Sequence, residues 1–147
     1  QAPNKPVLST GATGPVSRRD FDPTRAGGPI RKLQYGQVKV TARAVDVVEA
    51  HIRRFQPPGT QELAMVERLR AIASGKLEAT PYDLRFYTHE LREFVRYRQL
   101  GYKTGMPVNE DDAYQLWNNT HSATLEDYQV NERTGGLFHP SVMEMDP

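Results

Sequence analysis

The chain has 147 residues and a formal net charge of +1, and it contains no cysteine. This length fits one domain, or one domain with a tail. The absence of cysteine excludes disulfide bonds, cysteine-ligated metals and thiol catalysis. No run of the sequence approaches 18 apolar residues, so we expect no membrane-spanning helix.

Charge is distributed unevenly along the chain. Residues 1–103 hold 18 Lys and Arg against 10 Asp and Glu, whereas residues 104–147 hold 1 against 8. The resulting charges of +8 and −7 indicate a basic surface suited to an anionic partner. Charge pairing within a single domain explains the same asymmetry equally well.

Residues 1–35 are rich in proline and glycine and have no hydrophobic periodicity. We interpret them as an extended arm or linker that either wraps the rest of the chain or is partly disordered. Residues 36–147 form the predicted helical domain. Within it, Gln37 to Val40 are predicted to form a short strand, although no pairing partner is evident.

Two amphipathic helices are predicted next. Thr41 is the expected N-cap of the first helix, and its apolar stripe consists of Val45, Val48, Ile52 and Phe55. Thr60 is the expected N-cap of the second, which ends at Gly75 and whose stripe consists of Leu63, Val66, Leu69 and Ile72.

The third helix, between Thr80 and Gly101, is the best defined. Thr80 suits the N-cap, Pro81 the first helical position and Asp83 the third. One face is an apolar stripe of Leu84, Tyr87, Leu91, Phe94 and Val95. The opposite face combines His89, Glu93 and Arg96 with Phe86 and Tyr97. We therefore expect this helix to be sandwiched at the centre of the domain and to form one wall of a site.

A fourth helix is predicted to begin near Asn109, because three acidic residues follow in its first turn. Its stripe consists of Tyr114, Trp117, His121, Leu125 and Tyr128. Together these patterns predict an all-α, small orthogonal or bundle-like domain of about four helices, with an extended Pro/Gly-rich N-terminal arm and an irregular C-terminal tail.

The candidate catalytic groups lie mainly on the third helix. His89 and Glu93 are one turn apart, so the carboxylate can orient the imidazole for acid–base work. The full set of catalytic candidates is His89, Glu90, Glu93, His121 and His139, and the substrate-binding candidates are Arg92, Arg96 and Tyr97. The alternatives are a solvated row of charges on the helix and a buried core histidine at 121 that bonds to Asn118 and Thr124. We expect His51 either to be exposed or to be a partner of the helix dipole at the C-terminus of the first helix.

The same groups can also bind a metal. The run HELRE at 89–93 lacks the second histidine of the HExxH zinc motif. The helix nevertheless offers His89 and Glu93 as two ligands, with His121 or His139 as a third. A divalent ion, zinc or magnesium, is thus the one cofactor that the sequence suggests.

Three blocks, FYTHELREFVRYRQLGY, AYQLWNNTHSATLEDY and LFHP, carry a resemblance that spans about residues 27–143. In this order they resemble a C-terminal toxin domain of bacterial Rhs-repeat and related polymorphic toxin proteins. The resemblance implies an effector that is released from a parent Rhs shell, is delivered into the cytoplasm of a target bacterium and is blocked there by a cognate immunity protein. It implies no single activity, although such toxins are most often nucleases. The chain departs from the zinc deaminase pattern, which needs cysteines, and it shows no ββα-metal hairpin of HNH nucleases.

Three functions remain open. The favoured one is a nuclease, in which His89 acts as general acid or base with His121 or His139, and Arg92 and Arg96 hold the phosphate. The second is a metal-dependent hydrolase of another class. The third is a non-enzymatic helical binding module. An immunity protein that covers the arginine-rich region is expected to present an acidic surface.

Overall fold

The computed structural model describes residues 12–145 and consists mostly of helices, which confirms the predicted all-α class. The helices are α1 (Ala42–Arg53), α2 (Thr60–Ala73), α3 (Pro81–Gln99), α4 (Glu110–Asp127) and the short α5 (Pro140–Met143). Ahead of them, β1 (Ala12–Thr13) pairs antiparallel with β2 (Asp20–Phe21), and a 3₁₀ turn follows at Pro23–Arg25. No helix in residues 12–145 is long and apolar enough to cross a membrane.

The helix starts follow local capping chemistry. The Thr41 side chain accepts a hydrogen bond from the backbone N–H three residues later, as predicted. Thr80 and Asp83 form a reciprocal capping box at the start of α3. The prediction of Thr60 as a cap is wrong by one residue. Gly59 occupies that position without a side-chain bond, and Thr60 is already helical.

The predicted stripes of α1 and α2 meet α3 in the main core. Buried residues of this core include Val45, Val48, Ile52, Met65, Val66, Leu69, Phe86, Tyr87 and Leu125. A smaller aromatic cluster lies toward the other end and consists of Phe55, Tyr97, Tyr114, Leu116 and Trp117. The two clusters leave a polar layer between α1, α3 and α4, which the next section describes.

The ionisable face of α3 is buried more completely than its apolar stripe, although Tyr87 of the stripe lies in the main core. Val95, from the predicted apolar stripe, is 37% exposed, whereas Glu93 and Arg96 on the ionisable face are 0% exposed. The reason is that the ionisable face packs against α4, and α4 is the most enclosed helix, with 14 of its 18 residues buried. The centre of the domain is therefore α4 together with the polar face of α3.

The N-terminal arm wraps the helices from residue 12 onward. Backbone N–H groups of the arm donate to three side chains of α4, namely Glu126, Asn119 and Asp127. Residues 12–35 of the predicted arm therefore wrap the rest of the chain. Residues 1–11 lie outside the described part of the chain. The predicted strand at Gln37 to Val40 is wrong: this segment is irregular, and Val40 packs into the main core.

Candidate functional site

Three side chains from α3 and α4 converge in the polar layer. Nε2 of His89 lies 3.0 Å from Oε2 of Glu93 and 3.0 Å from Nδ1 of His121. Nδ1 of His121 lies 3.4 Å from the same Glu93 oxygen. We call His89, Glu93 and His121 the His–Glu centre. Their convergence agrees with the helical spacing that placed His89 and Glu93 on one face, and with the choice of His121 as their partner.

Two further residues extend the centre on opposite sides. Nε2 of His51, on α1, lies 2.8 Å from Oε1 of Glu93. Nε2 of His121 lies 3.1 Å from Oε2 of Glu132, which follows α4. The centre thus has an inner neighbour, His51, and an outer neighbour, Glu132.

Sequence reasoning missed both neighbours. The alternative that His51 is exposed is wrong, because its side chain is 0% exposed. A signal was present, since His51 lies three residues after Val48 and four before Phe55, which is the spacing of the buried stripe. Glu132 lies in a turn beyond α4, where no periodicity marks it. The predicted partners of His121 are also wrong, since Asn118 donates to the Asp20 carbonyl and Thr124 to the Thr120 carbonyl.

The centre is almost completely removed from solvent. His89 is 2% exposed and His121 is 3% exposed, while Glu90 is buried beside them with Oε2 3.9 Å from Nε2 of His89. Buried ionisable groups persist only when hydrogen bonds or opposite charges compensate for lost hydration. A cluster of this kind is a candidate for function and not a solvated row of charges.

Hydrogen bonding fixes the charge of the central carboxylate. Burial by itself would raise the pKa of Glu93, but hydrogen bonds from the three histidines hold it well below its usual value. Burial lowers the pKa of both His51 and His89, and the Glu93 carboxylate opposes that shift only in part. The pKa shifts therefore favour an anionic Glu93 and neutral imidazoles at His51 and His89.

The outer pair carries opposite charges. Burial opposes protonation of His121, but its bonds to Glu132 and Glu93 outweigh that effect and raise its pKa to about 9. Burial would raise the pKa of Glu132, but the hydrogen bond from His121 lowers it to about 2. The imidazoles of His89 and His121 thus differ in protonation although they are in contact, as paired acid–base groups do.

The two candidate phosphate-binding arginines are engaged elsewhere. Arg96 donates to the carbonyls of Ala26, Gly28 and Pro29 and to the Asp127 carboxylate. Nε of Arg92 also donates to Asp127, and one of its terminal nitrogens donates to Pro29. We call Arg92, Arg96 and Asp127 the Arg–Asp cluster. Its guanidinium groups fasten the arm to α3 and α4, so they are not presented to a substrate.

The remaining candidates are His139 and Tyr97. The His139 ring is edge-on to Tyr82, and its Nδ1 bonds to Ser141. The Tyr97 ring packs edge-on against His51, with 4.9 Å between the ring centres. Tyr97 is fully buried under the Arg54 guanidinium, at 4.4 Å from the ring centre. Burial raises the pKa of Tyr97 well above its usual value. His139 and Tyr97 are thus placed for packing.

A bonded route from solvent to the centre runs through Glu132. Its side chain is 41% exposed, and Arg19 of the arm, 27% exposed, pairs with it at 3.4 Å. Arg19 also donates to Ser122 and lies 5.0 Å from the centre of the Trp117 ring, which in turn stacks on His121. We call Arg19, Glu132 and Trp117 the rim of the centre.

Two sets of side chains in residues 12–145 are spaced to bind a metal ion. The first is His89, Glu93 and His121, and the second is His51, Glu90 and Glu93; in each set the ligand atoms lie within 4.8 Å of one another. The first set was among the combinations expected from the sequence. Both sets include Glu93, so the simplest case is that a single ion binds to one of the two sets.

Comparison of the chain with protein-family models, with curated proteins and with solved structures found no match.

Proposed function

We propose that this chain is the effector domain of a polymorphic toxin and that it cleaves nucleic acid in the cytoplasm of a target bacterium. The reaction is assigned to the His–Glu centre. The observation that supports this assignment is the convergence of His89, Glu93 and His121 within 3.4 Å of one another in a buried layer. The resemblance to Rhs toxin domains supplies the biological setting.

An anionic substrate is favoured by the charges at the rim. Arg19 is bonded to the exposed member of the network, and Arg18 and Arg133 are exposed residues directly next to Arg19 and Glu132 in the sequence. These arginines replace Arg92 and Arg96 as the proposed phosphate-binding groups. A cation bonded at the rim, with two exposed arginines next to the rim residues in the sequence, suits a phosphodiester backbone.

The centre is suited to hydrolysis because it places several exchangeable groups around one point. Glu93 fixes the imidazoles from the interior, and Glu90 offers a second buried carboxylate next to His89. Such groups serve either by moving protons or by binding an ion that activates water. The choice between these two modes is taken up in the next subsection.

The test is inducible expression of the wild type in a bacterial cytoplasm, next to His89→Ala and His121→Ala. Growth is followed together with the integrity of total RNA and DNA, and circular dichroism checks that each variant folds. We expect arrest and nucleic-acid breakdown with the wild type, and a loss of activity on the order of 100- to 10,000-fold in either variant. His139→Ala is the matched control, because it removes a histidine outside the centre, and it should remain active.

Two results would redirect the proposal. Arrest with intact RNA and DNA, lost in folded His89→Ala, would indicate a hydrolase of another class at the same centre. The absence of arrest, or arrest that persists in both folded variants, would overturn a reaction at this centre and favour a binding module. An immunity protein that protects cells and covers the rim is proposed to carry an acidic surface there.

A further inference from the structure

We propose that Nε2 of His89, Oε2 of Glu93 and Nδ1 of His121 form a three-ligand site for one zinc ion. The role of this ion in a reaction rests on the proposed function. The binding of the ion to these three atoms does not depend on that function. Three lines of geometry point to this site: the hydrogen count at the centre, the distances between the three atoms, and the partners behind the ligands.

Protons alone leave one unfavourable contact among the three atoms in each arrangement. The mildest arrangement shares the His89 N–H between Glu93 and His121 and leaves the lone pairs of His121 and Glu93 facing each other at 3.4 Å. An imidazole nitrogen either donates a hydrogen bond or accepts one, and a carboxylate oxygen only accepts. If His121 donates to His89, the lone pairs of His89 and Glu93 face each other at 3.0 Å. If both imidazoles donate to Glu93, two N–H groups meet across the 3.0 Å N···N contact. A cation that accepts a lone pair from all three atoms removes this conflict.

The distances between the atoms match a metal site. The contacts are 3.0, 3.0 and 3.4 Å, and ligands bound at the usual zinc distances in a tetrahedron lie about 3.3 Å apart. A circle through three such atoms has a radius of about 1.8 Å, so an ion at about 2.0–2.1 Å from each lies about 1 Å off their plane. The spacing of the three atoms is therefore that of zinc ligands.

The ligands are supported from behind in the way that metal ligands usually are. Nε2 of His121 faces the Glu132 carboxylate at 3.1 Å, and Oε1 of Glu93 faces His51 at 2.8 Å. A carboxylate behind a ligating histidine fixes its ring orientation and strengthens it as a ligand. The Arg–Asp cluster, in contrast, contains no imidazole and has its carboxylate fully occupied.

Ligand chemistry selects zinc over magnesium. Two imidazole nitrogens and one carboxylate suit zinc, whereas magnesium prefers a full set of oxygen ligands. Three protein ligands leave the fourth position open, which is typical of catalytic zinc sites. Glu90, 3.9 Å from the ligating nitrogen of His89, is the nearest further carboxylate to that position.

Binding is tested with the purified chain after dialysis against a chelator, by calorimetric titration with zinc chloride and by the visible absorption of added cobalt(II). We expect one equivalent to bind and to raise the midpoint of thermal unfolding. Glu93→Gln and His121→Asn, which keep the shape of the side chains, should abolish binding. Glu132→Gln should weaken it roughly 10- to 100-fold, and His139→Ala, the matched control, should leave it unchanged.

The proposal is overturned if Glu93→Gln and His121→Asn, shown by circular dichroism to fold, bind zinc as the wild type does. It is also overturned if His51→Gln abolishes binding while His121→Asn retains it, since the ion would then occupy the His51, Glu90 and Glu93 set. Cleavage of nucleic acid by the chelated protein would remove the metal from the mechanism and keep the nuclease. Zinc binding without cleavage of nucleic acid would keep the zinc site and remove the nuclease.

Discussion

The Arg–Asp cluster and the His–Glu centre lie on the same two helices, α3 and α4, and both are buried. In the first, the Asp127 carboxylate accepts from the Arg31 backbone and from Arg92 and Arg96, so each of its oxygens has a donor, although Nε of Arg96 is buried without a partner. In the second, three ligand atoms contact one another, and with Glu93 ionised every arrangement of protons leaves one of the three contacts without a hydrogen bond.

The difference separates two uses of buried charge. The Arg–Asp cluster fastens one part of the chain to another, here the arm to the helices. The His–Glu centre brings atoms of two imidazoles and one carboxylate within 3.4 Å of one another, which is why we assign the chemistry to it. The comparison can be tested by disturbing each cluster alone.

The largest effect on stability is expected from Asp127→Ala. It leaves Arg96 buried without its carboxylate, and breaking a buried pair in this way costs about 3–5 kcal/mol. The measurement is the free energy of unfolding from urea denaturation, with zinc absent. Asp46→Ala is the matched control, because Asp46 is 70% exposed and pairs with Arg70 on the surface. Its cost should be about 0–1 kcal/mol.

A second variant sharpens that test. Arg96→Met combined with Asp127→Leu removes both buried charges, so the double variant should be more stable than Asp127→Ala alone. If the double variant is the less stable of the two, then the bonds from Arg96 to the arm carbonyls, and not its charge, govern the cluster.

An intermediate effect is expected on the pH dependence of stability, through the buried carboxylate of Asp83. Burial would raise its pKa, but hydrogen bonds from Arg68 and Thr80 outweigh that effect and lower it. Because the pKa of Asp83 is lower in the folded state, its carboxylate stabilises the protein at pH values above the ordinary pKa near 3.8. This contribution is lost as the pH falls through the folded value.

Asp83→Asn should therefore reduce stability by about 0.5–2 kcal/mol at pH 7. It should also flatten the acid limb of the stability curve, measured by urea denaturation at a series of pH values. An unchanged acid limb would show that another carboxylate controls it. Glu78→Gln, in the exposed loop before α3, is the control for removing one negative charge.

The smallest effect is expected from Val95→Ala. Val95 belongs to the predicted apolar stripe of α3 but is 37% exposed, so its truncation should change the free energy of unfolding by less than about 0.5 kcal/mol. Val45→Ala, at a fully buried position of α1, should cost several times more. Equal costs for the two variants would contradict the orientation of α3.

Much of the secondary structure follows from local chemistry and could be predicted. Thr41 and Thr80 marked the starts of α1 and α3, since their side chains satisfy amide groups within the next turn. The pairing of His89 with Glu93 was also predictable, because residues four apart share a helical face. The orientation of α3 was not, since a face of ionisable groups is buried only when its partners arrive from elsewhere.

The sequence alone determined four helices, the caps of α1 and α3 and the stripes of α1 and α2, because these depend on contacts within one or two turns. Only the tertiary structure decided that His51 from α1 and Glu132 beyond α4 flank the His–Glu centre, and that Arg92 and Arg96 are committed to Asp127. Those contacts join residues 31 to 42 or 11 positions apart across packed helices. Such pairings depend on how the helices pack and leave no periodic mark in the sequence.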